Sequence, residues 1–144
     1  MVNNLEKELK LGIDIISKFS EEEFSLKNHP DKWSKKEILG HLIDSAVNNL
    51  QRFTEVEFSN QPYNVRKYNQ NELVKTNDYQ NSETKELLNF WLAINTRIQI
   101  IIKKQTNETL RLKFQIDNDT VVDFKFLIKD YIDHLVHHLR QIEN

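Results

Sequence analysis

The sequence has no cysteine, only two glycines and two prolines, and no apolar run long enough to span a bilayer. Without cysteine there is no disulfide, no thiol nucleophile and no thiolate ligand. Any metal must be held by His, Asp, Glu or water. Scarce glycine and proline leave few turns, which favours a few long helices over many short strands. A net charge of −2 over 144 residues gives no electrostatic reason to expect nucleic acid. Lys103, Lys104, Arg111 and Lys113 form a local basic cluster that reads as ordinary solvated surface. The opening Met1-Val2-Asn3-Asn4-Leu5-Glu6 lacks a basic start followed by an apolar stretch. The expectation is a cytoplasmic protein with no membrane partner.

What is present is a modest apolar share, 38%, and a high charged share, 29%. That balance suits helices that each keep one wet face. Residues 1–144 are expected to form one domain, large enough to bury a core. No repeat, low-complexity tract or linker divides them.

Four segments carry a helical period. The first runs from about Val2 to Phe19, with Leu5, Leu9, Ile13 and Ile16 as its stripe, joined by Leu11 and Ile15. The acidic run Glu21-Glu22-Glu23 and Asn28-His29-Pro30-Asp31 interrupt the pattern. The second opens at the capping box Ser34-Lys35-Lys36-Glu37, with Trp33 placed to staple onto Ile38. It continues to about Phe58. Residues 59 to 81 read as a long polar, irregular connection, and such connections are usually functional or mobile. The third helix spans about Ser82 to Lys104. Leu110 to Phe114 alternates with period two, Asp117-Asn118-Asp119 supplies a turn and Val121-Val122 resumes, which suggests a small hairpin. The fourth helix spans about Asp123 to Ile142. Together these predict an all-α fold, a four-helix bundle with crossover topology.

Three of the five histidines fall in the last helix. Projection at about 100° per residue puts Phe124, Leu127, Ile128, Tyr131, Leu135, Leu139 and Ile142 on its buried side. His137 points to solvent with Asp130, Asp133 and Arg140. His134 and His138 lie on the shoulder between, four residues apart on one face, where two imidazoles can grip one divalent ion. A third from a facing helix would complete a three-nitrogen site with open positions, as catalytic metals require. His41 is the candidate. It lies outside the apolar arc of its helix, in a polar stripe with Glu37, Asp44, Ser45, Asn48 and Arg52. Two readings of that stripe stand: a wet outer face, or the wall of a cleft between helices. For His134 and His138 the plainer reading is a half-buried pair satisfied by hydrogen bonds.

The phrase Trp33-Ser34-Lys35-Lys36-Glu37-Ile38-Leu39-Gly40-His41-Leu42-Ile43-Asp44-Ser45 resembles the "WS…E…GHL.DS" helix of the DinB/YfiT-like superfamily. The closing His134-Leu135-Val136-His137-His138-Leu139-Arg140-Gln141-Ile142 resembles that family's "H…HHxxQI" end. Asn69-Gln70-Asn71-Glu72-Leu73-Val74 is similar to its "YDQN.WV" stretch. It departs from it at Asn69, where Asp is common, and at Glu72-Leu73, which replaces the approach to a Trp. The resemblance covers nearly the whole chain in matching order.

The resemblance implies a four-helix bundle binding one divalent metal, commonly nickel or zinc, through His41, His134 and His138. It implies small-molecule chemistry. Several members are S-transferases using thiols such as bacillithiol or mycothiol, and others are metal-dependent hydrolases. It also implies pairing into homodimers. An S-transferase is the leading expectation. The alternatives are a hydrolase, a bundle in which the ion only pins helices, and an interaction module without metal. Asp44 is a candidate to orient His41 or a bound water. Tyr131 is a candidate catalytic group and Gln141 a candidate cofactor- or substrate-binding group, both flanking the histidine pair. Arg52 is a candidate to meet a substrate carboxylate, against the plainer reading of a surface ion pair with Glu55 or Glu57.

Overall fold

The computed structural model describes the backbone from Val2 and the side chains from Asn4 to Asn144. Six helices and three short strands follow in the order α1 (Val2–Ser17), α2 (Glu21–Ser25), α3 (Lys35–Glu55), β1 (Tyr63–Asn64), α4 (Gln70–Thr76), α5 (Thr84–Lys103), β2 (Lys113–Gln115), β3 (Val121–Asp123) and α6 (Phe124–Glu143). Helices α1, α3, α5 and α6 correspond to the four periodic segments. Helix α1 packs against α5 and α6, and so does α3. The chain therefore steps from α1 to α3, and again from α5 to α6, between helices that are not direct neighbours. This is the crossover expected from the long connections. No described helix is long and apolar enough to cross a membrane.

Capping explains where these helices begin. Ser34 accepts from the Glu37 amide while Glu37 reaches back to the Ser34 amide at 3.0 Å, so two orphan donors are satisfied at once. The same box recurs at Ser20 and Glu23. The acidic run at 21–23, expected to break the helical pattern, is therefore the first turn of α2. Carboxylates there complement the positive end of the helix dipole. Asp123 caps α6 through the Phe126 amide at 2.8 Å.

The connection at 59–81 is structured, contrary to its irregular reading. It holds β1, helix α4 capped by Asn69, and a 3₁₀ turn at Tyr79–Asn81. The hairpin forms as β2 antiparallel to β3, and β1 adds a third, parallel strand through Tyr63 and Phe114. A two-residue strand whose partner lies some fifty residues on leaves no local period to detect. Two smaller corrections concern helix faces. Helix α3 ends at Glu55 and leaves Phe58 75% exposed. Leu11 is exposed rather than part of the α1 stripe.

The core is continuous through all four long helices. Trp91, Phe53, Phe124 and Phe114 are fully buried, and burial of each such ring contributes roughly 1.5–3 kcal/mol. Glycine matters at one position near the histidines. A Cβ on Gly40 would lie 2.1 Å from Tyr79 Cδ2. Only glycine lets the Tyr79 turn press onto α3 one residue before His41.

Candidate metal centre

His41 is 1% exposed. The polar stripe of α3 is thus an inner wall. Glu37, Asp44, Ser45 and Asn49 are buried with it, because α4 and the Tyr79 turn cover that side as well as α6. The wet-face reading is excluded.

The imidazoles of His41, His134 and His138 meet at their Nε2 atoms. His134 Nε2 lies 3.2 Å from His41 Nε2 and 3.1 Å from His138 Nε2. One ligand atom from each of the three falls within 4.8 Å of the others, an arrangement that could hold a metal ion. His137 is exposed beside them, as the helical projection requires. His29 pairs locally with Asp31.

Protons do not account for this cluster. His138 Nδ1 lies 2.6 Å from Gln141 Oε1. A carbonyl oxygen only accepts, so Nδ1 carries the hydrogen and the neutral ring presents a lone pair at Nε2. His134 Nε2 faces two nitrogens and can share a proton with only one. Burial, reinforced by the neighbouring imidazoles, pushes His41 and His134 down to about 4, and pushes His138 down too, so the rings are neutral at pH 7. At least one of the two contacts is then left without a hydrogen bond. A cation relieves this. Metal–nitrogen bonds of about 2.0–2.1 Å in tetrahedral geometry put ligand nitrogens about 3.3 Å apart, close to the spacing found. The donor set fits a borderline divalent ion, and the described residues add no carboxylate to it.

Two contacts orient the rings. Gln141 fixes the tautomer of His138. Trp33 lies over His41, with ring centroids 4.9 Å apart at 34°. His41 Nδ1 has no hydrogen-bond partner, so stacking positions that ring. A pocket of about 320 Å³ opens beside His138, with Trp33, Ile38, Asn71 and Gln141 in its walls and Asp31 and Lys32 at its edge.

The other expected residues take different places. Asp44 makes no hydrogen bond to His41. Its Oδ1 accepts from the Tyr79 hydroxyl at 2.6 Å and from Asn77 Nδ2 at 3.1 Å. Tyr131 is a core residue that donates to Asn95 at 2.7 Å and packs on Phe53. Arg52 lies 11 residues beyond His41, about 16 Å along the helix axis. It forms no ion pair with Glu55 or Glu57. Glu55 instead accepts from Tyr63 and Glu57 from Gln105, while Arg52 donates to the Arg66 carbonyl at 2.8 Å and covers the Tyr68 ring. Residue spacing missed Trp33 as the partner of His41 and Asn71 as a pocket wall. Spacing did mark Gln141, three residues from His138, but with another role.

A helical bundle with three imidazoles joined across two helices defines a class of candidate metal-site proteins. The sequence model of the DinB superfamily matches residues 5–142, and the chain belongs to that superfamily. No curated protein sequence matches it. Among solved structures it is similar to YfiT from Bacillus subtilis, a probable metal-dependent hydrolase with an unusual four-helix bundle topology. The TM-score is 0.87 at 17% identity, over 98% of this chain and 81% of that one. It is also similar to a mycothiol-dependent maleylpyruvate isomerase, with TM-score 0.75 and 12% identity over 98% of this chain and 58% of that one. A DinB-like protein of Bacillus subtilis, YjoA, aligns with TM-score 0.67 and 19% identity over 98% and 85%. At these identities the likeness concerns the fold.

Proposed function

We propose that this chain is a metal-dependent enzyme whose His41, His134 and His138 hold one divalent ion, nickel or zinc. We further propose that it transfers the sulfur of a low-molecular-weight thiol, of the bacillithiol type, to a small electrophile. The observation that carries this reading is the meeting of three Nε2 atoms beside an open pocket. An ion held there would act as a Lewis acid, lowering the pKa of a thiol or water brought to it.

The chain's own residues would do the rest. Neutral imidazoles leave both positive charges of the ion uncompensated, which favours an anionic thiolate over the thiol. Trp33 and Ile38 give the pocket an apolar wall that limits water. Asn71, on α4, offers an amide to a substrate oxygen. The bond formed joins sulfur to the electrophilic carbon, and the bond broken releases the leaving group with its electron pair. The thiol proton passes to solvent. With no cysteine in the chain, the thiol must come from outside. The fold shared with a mycothiol-dependent isomerase supports this reading. The closer fold match to YfiT favours a second, hydrolysis with water in place of the thiol.

The test loads purified protein with zinc or nickel and supplies bacillithiol with an alkyl halide. Thiol consumption that disappears in His134→Ala supports transfer. Ester or amide hydrolysis without thiol consumption selects the second reading. Tight metal binding with neither activity would leave the ion a purely structural part.

A further inference from the structure

Helix α5 packs against α3 and α1, and its outer face is left open. Glu86, Phe90, Ala93, Arg97, Ile100 and Lys104 are all exposed there. They follow one another at steps of four and three residues in turn, the spacing by which one helix pairs with another. Phe90 is 47% and Ile100 43% exposed. Val47 of α3 lines one cavity with Phe90 and broadens the apolar surface at that end. On α1 and α6 the large exposed apolar residues stand singly, as Leu11 and Phe126, and single ones need no explanation.

The charges on this seam indicate what covers it. Glu86 lies at one end, Lys104 at the other and Arg97 between them. None of the three forms an ion pair among the described residues. About the level of Asn95 the seam is its own complement. Glu86 and Lys104 stand nine residues to either side of Asn95, Phe90 and Ile100 five, Ala93 and Arg97 two.

A second α5 laid antiparallel on a two-fold axis at that level would meet the first residue for residue. Glu86 would face Lys104 of the other copy, and Phe90 would face Ile100, each pair occurring twice. The two Arg97 would lie about 6 Å apart along the axis. Each would pass its aliphatic stem over the small Ala93 of the other copy and keep its head in water. A parallel copy would set Glu86 on Glu86, Arg97 on Arg97 and Lys104 on Lys104, all like charges. A lipid surface of one sign would meet both signs along the seam.

We propose that the outer face of α5 docks a second copy of this chain, antiparallel, in a two-fold dimer with α5 against α5. The three histidines lie on α3 and α6, so the interface is separate from the metal centre and does not depend on the metal reading.

The test is sedimentation equilibrium of the full chain over a concentration series, with circular dichroism of each variant. A reversible monomer–dimer equilibrium is expected, the same with zinc as with chelator. Phe90→Glu and Ile100→Glu should each weaken association by about tenfold or more, because the symmetry makes every substitution act twice. Both positions are on the surface, so the helical spectrum should be kept. Glu86→Lys should weaken association about tenfold by setting like charges together twice. The double reversal Glu86→Lys/Lys104→Glu should return it to the wild-type value. A chain that stays monomeric at every concentration would overturn the proposal, as would a dimer that survives either glutamate substitution. A double reversal that fails to restore pairing would overturn the antiparallel register. Wild type that stays monomeric and floats with phosphatidylglycerol vesicles would give the face to lipid instead.

Discussion

His138 Nδ1 donates to Gln141 Oε1 at 2.6 Å, and this one contact decides which nitrogen of the ring can serve a metal. With the hydrogen held on Nδ1, the lone pair of Nε2 is free and faces His134. Partners that hold the far nitrogen of a ligating histidine typically carry 10–100-fold in metal affinity. Gln141→Ala is therefore expected to weaken zinc or nickel binding by about that factor, measured by competition with a chromophoric chelator. Gln141→Glu, which keeps an acceptor, should recover most of the loss. Unchanged affinity in Gln141→Ala would remove this residue from the site.

Metal should also stabilise the fold, because its ligands come from two helices 93 residues apart in the chain. An ion at 100 times its Kd adds about 2.7 kcal/mol to a native state that alone binds it. For a domain of this size that is a rise in Tm on the order of 5–10 °C. His134→Ala should abolish the rise while keeping the helical circular dichroism spectrum. A metal-induced rise that survives in this variant would place the ion elsewhere.

The metal-free protein should lose stability in acid. Burial holds His41 and His134 at about 4, below their ordinary value of 6.5. Between those values the unfolded chain binds more protons than the folded one, so stability increases with pH there. It is complete above pH 6.5 and is lost as pH falls toward 4. Differential scanning fluorimetry across this range should show a falling Tm for wild type and a flatter profile for His41→Gln/His134→Gln. Parallel profiles would mean that other groups govern the acid limb.

Gly40 should not tolerate alanine. The new Cβ would sit 2.1 Å from Cδ2 and 2.4 Å from Cγ of Tyr79, and that ring is tied down by its hydroxyl on Asp44. Overpacking of this kind costs about 1–3 kcal/mol, at the upper end where the neighbour cannot move. Chemical denaturation of Gly40→Ala should show the loss. In a Tyr79→Ala background the same substitution should be neutral or gain up to about 1 kcal/mol of helix propensity. Equal losses in both backgrounds would show that the Tyr79 ring is not what Gly40 makes room for.

Helix α6 shows how much can be read from residue order. Its apolar stripe, the outward direction of His137 and the paired direction of His134 and His138 all follow from a 3.6-residue period. Ser34 and Glu37 mark the start of α3 for the same local reason. Ser20 and Glu23 carry an identical signal, but the helix they open has five residues, too few for a period to emerge. The elements inside 59–81 share that difficulty, since a strand of two residues and a helix of seven depend on distant partners.

By itself, then, the order of residues determined the four long helices, the Ser34–Glu37 cap that opens α3 and the i, i+4 histidine pair, because each arises from interactions within a few residues of chain. Tertiary structure alone decided which way the polar stripe of α3 faces. A stripe carrying His41 and Asp44 looks the same whether water or another helix lies against it. Packing by α6 and by the Asn77–Tyr79 turn turned it inward, joined His41 to His134, and committed Asp44 to Tyr79 and Asn77 on the far side of α4.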